Sequence, residues 1–226
     1  MLLLRRRENK LERMPEGYIT DGLVLWLDGL DRGGVSGEWH DLIDLENIVT
    51  LTGNYSENTN GVYFPGDNDC YGTFEKSVAI SWDVGTIEGA VELTSADGTG
   101  RPLISMGNSK IGGSIAMGAN GVAALRYYLY GNTMPNWSVT LQPENLKLTF
   151  SGNATRAYIN GKLCVEGTTS QFPSMSTKRL GNRGSGNPFK GTMYSIRVYN
   201  RKLTDAEMLH NQMLDNTRYN MGITFN

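Results

Sequence analysis

The stretch from residue 191 to 213 constrains the fold more than any other part of the chain, because its hydrophobic period changes halfway. In the first half, Tyr194, Ile196 and Val198 alternate with Ser195, Arg197 and Tyr199. This period of two predicts a strand with one face in a core. In the second half the spacing becomes helical, and we expect a helix over residues 204–216.

The start of this predicted helix has a specific signature. Thr204 and Glu207 are spaced as a capping box, and Leu203 and Met208 are placed to form a hydrophobic staple over it. The helix then has Ala206, Leu209 and Met213 at the spacing of one apolar stripe. A half-buried strand followed by an amphipathic helix requires a sheet on which to dock.

The rest of the chain has the pattern of short strands. Residues 22–27, GLVLWL, are a continuous apolar run, typical of a strand buried on both faces. Asn160-Gly161 predicts a hairpin, because both positions of a type I′ turn need positive φ. Other short segments cover residues 62–65, 70–74, 85–93, 103–106, 113–117, 125–130, 146–150, 157–159 and 162–165. This spacing predicts an all-β fold, a two-sheet antiparallel sandwich or jelly roll, with one C-terminal helix.

The charge is unevenly distributed. The net charge is −2, but residues 1–14 carry five basic side chains against two acidic ones. The body is therefore mildly acidic, and we expect no nucleic-acid surface on it. No apolar run approaches the ~20 residues of a membrane span. Cys70 and Cys164 are too few for a disulfide framework, and we expect buried thiols instead.

We expect residues 1–17 to form a basic N-terminal arm and residues 18–226 to form the sandwich domain with its helix. Pro15 and Gly17 stop the weak helical spacing of the arm. The arm is either a solvated tail or an anchor that orders against a partner. Its candidate anchoring residues are Arg5, Arg6, Arg7, Lys10 and Arg13. The run from residue 2 to 4 is too short for a secretory signal, so we expect synthesis in the cytoplasm.

Several segments, taken in order, resemble the concanavalin A-like lectin/glucanase superfamily in its laminin G-like form. They are GLVLWLDG at 22–29, Trp39 with Asp41, VYFPG at 62–66, TIEGAVEL at 86–93, LKLTFSGN to AYINGKL at 146–163, and F-x-G-x-x-Y-S-I-R-V-Y-N-R-x-L-T-x-x-E at 189–207. The closing segment, with Asp215 and Arg218-Tyr219, is most similar to modules of phage and prophage virion proteins. The resemblance spans roughly residues 20–220. It implies two antiparallel sheets and often glycan binding or adhesion, but not catalysis.

The sequence argues against an enzyme. The hydrolytic members of this fold carry an E-x-D-x-E pattern, in which two carboxylates flank the substrate at ~5–5.5 Å. Glu88 and Glu92 are four residues apart on one predicted strand, which is too far at ~3.4 Å per residue, so a solvated strand face is expected for them. The only histidines are His40 and His210, and no G-x-S-x-G motif is present.

Glycan binding needs aromatic faces for sugar rings and amides or charges for their hydroxyls. The densest such group is Arg126, Tyr128, Tyr130, Asn132, Asn136 and Trp137. The alternative is that these alternating tyrosines line the sandwich core or its rim. Trp26 and Trp82 are expected in the core.

No cofactor is required by this reading, but calcium is a candidate. Calcium takes ~6–8 oxygen ligands from converging loops. The candidate ligands are Asp28 with Asp31, and Asp67, Asn68 and Asp69. The resemblance favours such a site, since laminin G-like relatives often bind calcium at loop ends. Both sequences are also common in turns.

We therefore predict a non-enzymatic virion component, namely a decoration, fibre or tail-associated protein exposed on the particle surface. The arm would bind other virion proteins, the sandwich would display a glycan- or host-surface-binding face, and oligomerisation is expected. We expect neither nucleic acid nor membrane as partner. The alternatives are a cell-surface or secreted carbohydrate-binding module, a structural protein without a ligand and, less favoured, a glycoside hydrolase.

Overall fold

The structure is a computed structural model that describes residues 14–80, 84–94, 101–106, 114–119, 122–129, 132–133, 137–138, 146–153, 155–166, 175–182 and 188–225. Side chains are described throughout these ranges except at 80, 101–102, 106, 114–138, 165 and 175–178. Within the described ranges, no helix has the length and apolar character needed to span a membrane. Trp82 lies outside them.

The strands form two antiparallel sheets. The first, which we call the helix-covered sheet, contains β1 (Leu23–Asp28), β4 (Ser56–Asn58), β5 (Gly61–Pro65), β8 (Thr86–Leu93), β14 (Leu146–Asn153), β15 (Arg156–Ile159), β16 (Lys162–Glu166) and β18 (Lys190–Tyr199). The second, the open sheet, contains β2 (Glu38–His40), β3 (Ile48–Thr52), β6 (Tyr71–Phe74), β7 (Ala79–Ile80), β9 (Arg101–Met106), β10 (Ser114–Ala119), β11 (Val122–Leu129), β12 (Asn132–Thr133), β13 (Trp137–Ser138) and β17 (Met175–Leu180). The two sheets pack as the predicted sandwich.

Strand β18 is the centre of the helix-covered sheet. It pairs with β8 along one side and with β5 and then β1 along the other. In the open sheet, the order is β12-β11-β10-β9-β17-β6-β3-β2, with β13 beside β11 and β7 beside β17. The main core lies between the sheets and is built from the alternating inward residues of both, including Leu25, Val49, Phe64, Phe150 and Ile196.

Two local predictions are confirmed. β1 is buried along nearly its whole length, as its continuous apolar run predicts. The turn between β15 and β16 has Asn160 at φ 51° and Gly161 at φ 75°, the left-handed values that a type I′ hairpin needs.

The prediction for β18 is wrong in two respects. The strand is buried on both faces, since Ser195, Arg197 and Tyr199 are as inaccessible as Ile196 and Val198. A register shift between Met193 and Ser195 also moves Tyr194 off the core face. Tyr194 stacks instead on Tyr219 beyond the helix, with ring centroids 5.6 Å apart.

Helix α1 (Asp205–Arg218) covers the outer face of this sheet. Its capping box is present as predicted: the Thr204 side chain accepts from the Glu207 N–H, and Glu207 accepts from the Thr204 N–H. Leu203 and Met208 are buried in one cluster, as a staple requires.

The predicted apolar stripe of the helix is wrong. Ala206 is exposed, Met213 is 56% exposed and Leu209 is only half-buried. The buried face consists of Met208, Asn211, Gln212 and Asp215. A polar helix face can pack on a sheet only if the sheet offers matching polar groups, because unpaired buried polar groups are costly.

Arg197 provides the match. It forms two hydrogen bonds with Asp215, of 2.7 and 2.6 Å, and a third of 3.3 Å with Glu88 of β8. All three side chains are fully buried. Asn211 donates to Glu88 at 2.7 Å and Ser151 donates to it at 2.6 Å. The sheet and the helix are therefore joined by a buried ion network.

The same network holds the chain just before β1. The Tyr18 hydroxyl donates to Asp215, and the Ile19 N–H donates to the Asn211 side chain. Met14 packs against the cluster that contains Tyr18 and Met208. The candidate anchoring residues Arg5, Arg6, Arg7, Lys10 and Arg13 lie outside the described residues, so the arm stays a prediction.

We expect Asp215→Asn to lower the free energy of unfolding by about 3–5 kcal/mol, because one amide group would face the Arg197 guanidinium and leave part of a buried charge unpaired. Met213→Ala on the exposed side of the same helix is the control and should change it by no more than about 0.5 kcal/mol. Urea unfolding of both variants measures the difference. Equal midpoints would contradict a stabilising role for the network.

A second buried carboxylate gives a pH dependence. Asp41 accepts from the N–H groups of Trp26 and Ile43 and from the Asn47 side chain. Removal from water outweighs these bonds and raises its pKa from 3.8 to about 6. The folded chain therefore favours the protonated form. This contribution to stability is fully present below the unfolded pKa and is lost as the pH rises through about 6.

Asp41→Asn should remove this contribution. Between pH 4 and 7, the unfolding free energy of the wild type should fall relative to that of the variant by about 2–3 kcal/mol. Urea unfolding at several pH values measures the difference. A constant offset between the two proteins would show that Asp41 does not titrate in this range.

Candidate functional site

The two outer faces of the sandwich differ. The outer face of the helix-covered sheet is buried beneath α1, and Glu88, Ser151 and Arg197 on it have no exposed surface. The outer face of the open sheet is accessible where it is described, since Thr50 and Thr73 are exposed. In the described residues, the helix-covered sheet is accessible on its outer face only at the edge strands β4 and β16, whereas the open sheet is accessible near its centre.

Register defines a row of residues across this open face. Cross-strand partners in antiparallel sheets share a face. The row, from β2 to β12, is Glu38, Thr50, Thr73, Arg179, Ser105, Ser114, Tyr128 and Thr133. The adjacent register positions, Val49, Phe74 and Leu180, are buried in the core. The row therefore belongs to the outer face.

Tyr71 and Arg179 form the distinctive contact of this face. The Arg179 guanidinium carbon lies 4.4 Å from the centroid of the Tyr71 ring, and both residues are half-buried. Arg179 is directly opposite Thr73, and Tyr71 is two residues from Thr73 on the same strand. This diagonal position is within reach of long side chains and explains the stacking. No described carboxylate forms an ion pair with Arg179.

The predicted glycan residues lie on neighbouring strands. Arg126 and Tyr128 are in β11, Asn132 is in β12 and Trp137 is in β13, whereas Tyr130 and Asn136 lie outside the described residues. Tyr128 belongs to the row, and Arg126 is two residues along the same strand. Asn132 pairs with Leu129, and Trp137 pairs with Leu125. These two positions of β11 alternate with Arg126 and Tyr128, so they do not belong to the row. Their side chains are not described, so this set stays a prediction.

Sequence reasoning missed Tyr71 and Arg179 as candidates. Residues 70–74 are correctly predicted as a strand, but no strand is predicted over β17. The alternation of Thr177 and Arg179 with Lys178 is a weak signal there. The pairing of β6 with β17 joins residues over a hundred positions apart, and no local pattern contains it.

The solvated face predicted for Glu88 is wrong. Glu88 is fully buried, because α1 covers this side of the sheet, and burial raises its pKa. Glu92 is half-buried and accepts a hydrogen bond from the Tyr194 hydroxyl. Glu88 therefore cannot reach a substrate, and this pair lacks the geometry of a glycosidase site.

The candidate calcium ligands fall into two groups. Asp28 is fully buried, and its carboxylate accepts from the Leu30 N–H, from Arg218 and from the Tyr219 hydroxyl. A cation at Asp28 would have to displace Arg218, which lies 2.7 Å away, so calcium does not fit there with Asp31.

The second group offers oxygens in one turn. Asp67, Asn68 and Asp69 are exposed, but the Asp67 carbonyl accepts from the Cys70 N–H and the Asn68 carbonyl accepts from Asn182. No set of three or more His, Cys, Asp or Glu side chains in the described residues is arranged to hold a metal ion. Calcium in this turn stays a prediction.

The histidines and cysteines make local contacts. His40 is 2.7 Å from Glu38, and His210 is 2.8 Å from the Gly17 carbonyl oxygen. Cys70 and Cys164 are free thiols, and Cys70 is buried as expected, whereas Cys164 is only half-buried. Burial raises the pKa of Cys70 to about 11, so this thiol is unreactive near neutral pH.

The two sheets form a jelly-roll sandwich with an accessible outer face on the open sheet. Residues 85–208, more than half of the chain, match the laminin G-type model described as concanavalin A-like lectin/glucanases superfamily. The chain therefore belongs to this superfamily, and the predicted resemblance is confirmed. The phage context of that resemblance stays a prediction. No curated protein is a significant sequence match.

Solved structures with the same fold carry carbohydrates. A Trypanosoma rangeli sialidase in complex with sialic acid is 16% identical, with a TM-score of 0.66, over 95% of this chain and 38% of the sialidase. Domain 4 of a GH43 extracellular arabinanase from Geobacillus stearothermophilus, in complex with arabinotriose, is 17% identical, with a TM-score of 0.61, over 83% of this chain and 96% of that domain. The binding domain of botulinum neurotoxin DC, in complex with SialylT, is 14% identical, with a TM-score of 0.62, over 88% of this chain and 52% of that chain. At these identities the likeness establishes the fold.

Proposed function

We propose that the protein is a non-enzymatic carbohydrate-binding module that binds glycans on the outer face of the open sheet, around Tyr71, Thr73 and Arg179. The observation that carries this proposal is the asymmetry of the sandwich. One outer face is buried at its centre by a helix and an ion network, while the other presents hydroxyls, an aromatic ring and an arginine.

The ligands of the structural neighbours support this proposal. Sialic acid, arabinotriose and SialylT accompany proteins that share this fold. The chain spans only 38% of the sialidase, so the activity of that whole enzyme is not carried over. The burial of Glu88 supports the non-enzymatic part, because a general acid or nucleophile must touch the substrate.

We further propose that this module acts as a virion decoration, fibre or tail-associated protein. The described end of the arm contacts the helix and its cluster, since Met14 packs against the cluster and the Gly17 carbonyl oxygen is 2.8 Å from His210. This side of the sandwich is opposite the open face. Attachment through the arm would therefore leave the glycan-binding face directed away from the particle. A cell-surface or secreted carbohydrate-binding module would use the same face without this attachment.

A glycan array of the full-length protein, probed in calcium and then in chelator, tests the proposed function. We expect specific hits that Tyr71→Ala weakens by about tenfold, because about 1–1.5 kcal/mol is a typical contribution of one aromatic contact. The control Met213→Ala, on the opposite side, should retain them. Loss in chelator alone would indicate a site at residues 67–69 instead. A blank array with folded protein would contradict the proposed function.

Deletion of residues 1–13 tests the arm. Because Met14 is the first residue described in the packed cluster, the cut leaves that cluster intact. We expect an unchanged melting temperature together with loss of co-sedimentation with virions that incorporate the wild-type protein. Retained co-sedimentation would contradict the anchoring role of the arm.

A further inference from the structure

We infer that the glycan bound on the open face is acidic, and that Arg179 holds the carboxylate of one of its sugars. This inference rests on the proposed function and names the ligand class for the same face. It starts from a half-buried arginine for which the described residues supply no carboxylate partner.

The stacking geometry prepares Arg179 for an anion. Contact with the Tyr71 ring, 4.4 Å from the guanidinium carbon, uses the flat surface of the guanidinium. Its N–H donors point outward in the plane of the group, where a carboxylate can accept two of them at once. The ring also restricts the side chain, so less conformational freedom is lost when the anion binds.

The neighbours of Arg179 suit a sugar. Thr73 is directly opposite, and Thr50 follows on the next strand; both are exposed, and their hydroxyls can donate to and accept from sugar hydroxyls. On the other side, Ser105 donates to the Asn182 carbonyl and is buried, so it forms part of the floor. The described face therefore places neutral hydroxyls on one side of the arginine.

The charges of the protein require that a preference for acidic sugars comes from Arg179 itself and not from the overall charge. Glu38, the acidic residue of this row, lies three strands away from Arg179, or about 14 Å at the usual strand spacing. Glu75 and Asp69 are nearer, because they are exposed two residues beyond Thr73 and two residues before Tyr71, so the guanidinium of Arg179 must attract the bound carboxylate more strongly than these two groups repel it. The net charge of the chain is −2, so long-range attraction cannot explain a preference for acidic glycans. The paired N–H donors of the Arg179 guanidinium must provide it.

The test uses an array that carries each neutral glycan beside its sialylated, uronic acid-containing and sulfated counterparts, probed with the full-length protein. The variants are Arg179→Gln, which removes the charge, and Arg179→Lys, which keeps the charge but loses the paired N–H donors of the guanidinium. Tyr71→Ala removes the ring that orients Arg179, and Met213→Ala, on the opposite side of the sandwich, is the control. Melting temperatures establish that each variant is folded.

We expect the wild type to prefer carboxylate-bearing glycans to their neutral counterparts. Arg179→Gln should weaken this binding by about tenfold or more, the usual range for a hydrogen bond to a charged group. Arg179→Lys should recover only part of it. Met213→Ala should retain the wild-type preference, and Tyr71→Ala should reduce it.

Other outcomes overturn the inference. Binding of neutral glycans with no preference for their acidic counterparts would refute it and leave the proposed function standing. Binding confined to sulfated glycans would show that the anion is not a carboxylate. An acidic preference that Arg179→Gln leaves unchanged would place the anion elsewhere on the protein. A blank array would refute the proposed function itself.

Discussion

The pairing of Arg197 with Asp215 and Glu88 is the interaction on which the rest of the structure depends. Two carboxylates and one guanidinium lie between a sheet and a helix with no exposed surface. Removing such groups from water costs several kcal/mol per ion, and only close geometry with additional hydrogen bonds repays that cost. Ser151, Asn211, Tyr18 and Ser195 supply those bonds. The network contacts β8, β14, β18, the helix and the segment before β1, so it fixes how the described segments before β1 and after β18 meet the sandwich.

This network also explains why the two faces of the sandwich have different roles. The centre of the outer face of the helix-covered sheet is closed by ions and by α1, so in the described residues only the edge strands of that sheet remain accessible, whereas the opposite sheet is accessible near its centre. The open face carries threonines, Tyr71 and Arg179, which suit water and sugars. The stability of the fold and the capacity for binding are thus assigned to opposite sides. A surface residue such as Arg179 can therefore change without disturbing the buried ions.

The sequence predicts those features that depend on neighbouring residues. The capping box of Thr204 and Glu207, the Asn160-Gly161 hairpin and the buried β1 all follow from short patterns, and each is found in the structure. The buried face of α1 could not be predicted in this way. Hydrophobic periodicity selects Ala206, Leu209 and Met213. The residues that are buried instead have polar partners on three strands: Asn211 pairs with Glu88 of β8, Gln212 with Thr149 of β14 and Asp215 with Arg197 of β18. These partners are between 18 and 123 residues away in the sequence. The same limit applies to Tyr71 and Arg179, which are joined only by strand pairing.

Glu88 illustrates how strongly tertiary context decides the chemistry of a residue. On an isolated alternating strand it is expected to be a solvated carboxylate, and a carboxylate on a lectin/glucanase fold suggests a catalytic acid. Covered by α1 it instead becomes a buried partner of Arg197, with a raised pKa and no path to a substrate. Arg179 is the reverse case: an ordinary position on a short strand becomes an oriented cation because Tyr71 lies diagonally beside it. In both cases the sequence supplies the charge, and the neighbouring strand or helix determines whether that charge holds the fold together or faces a ligand.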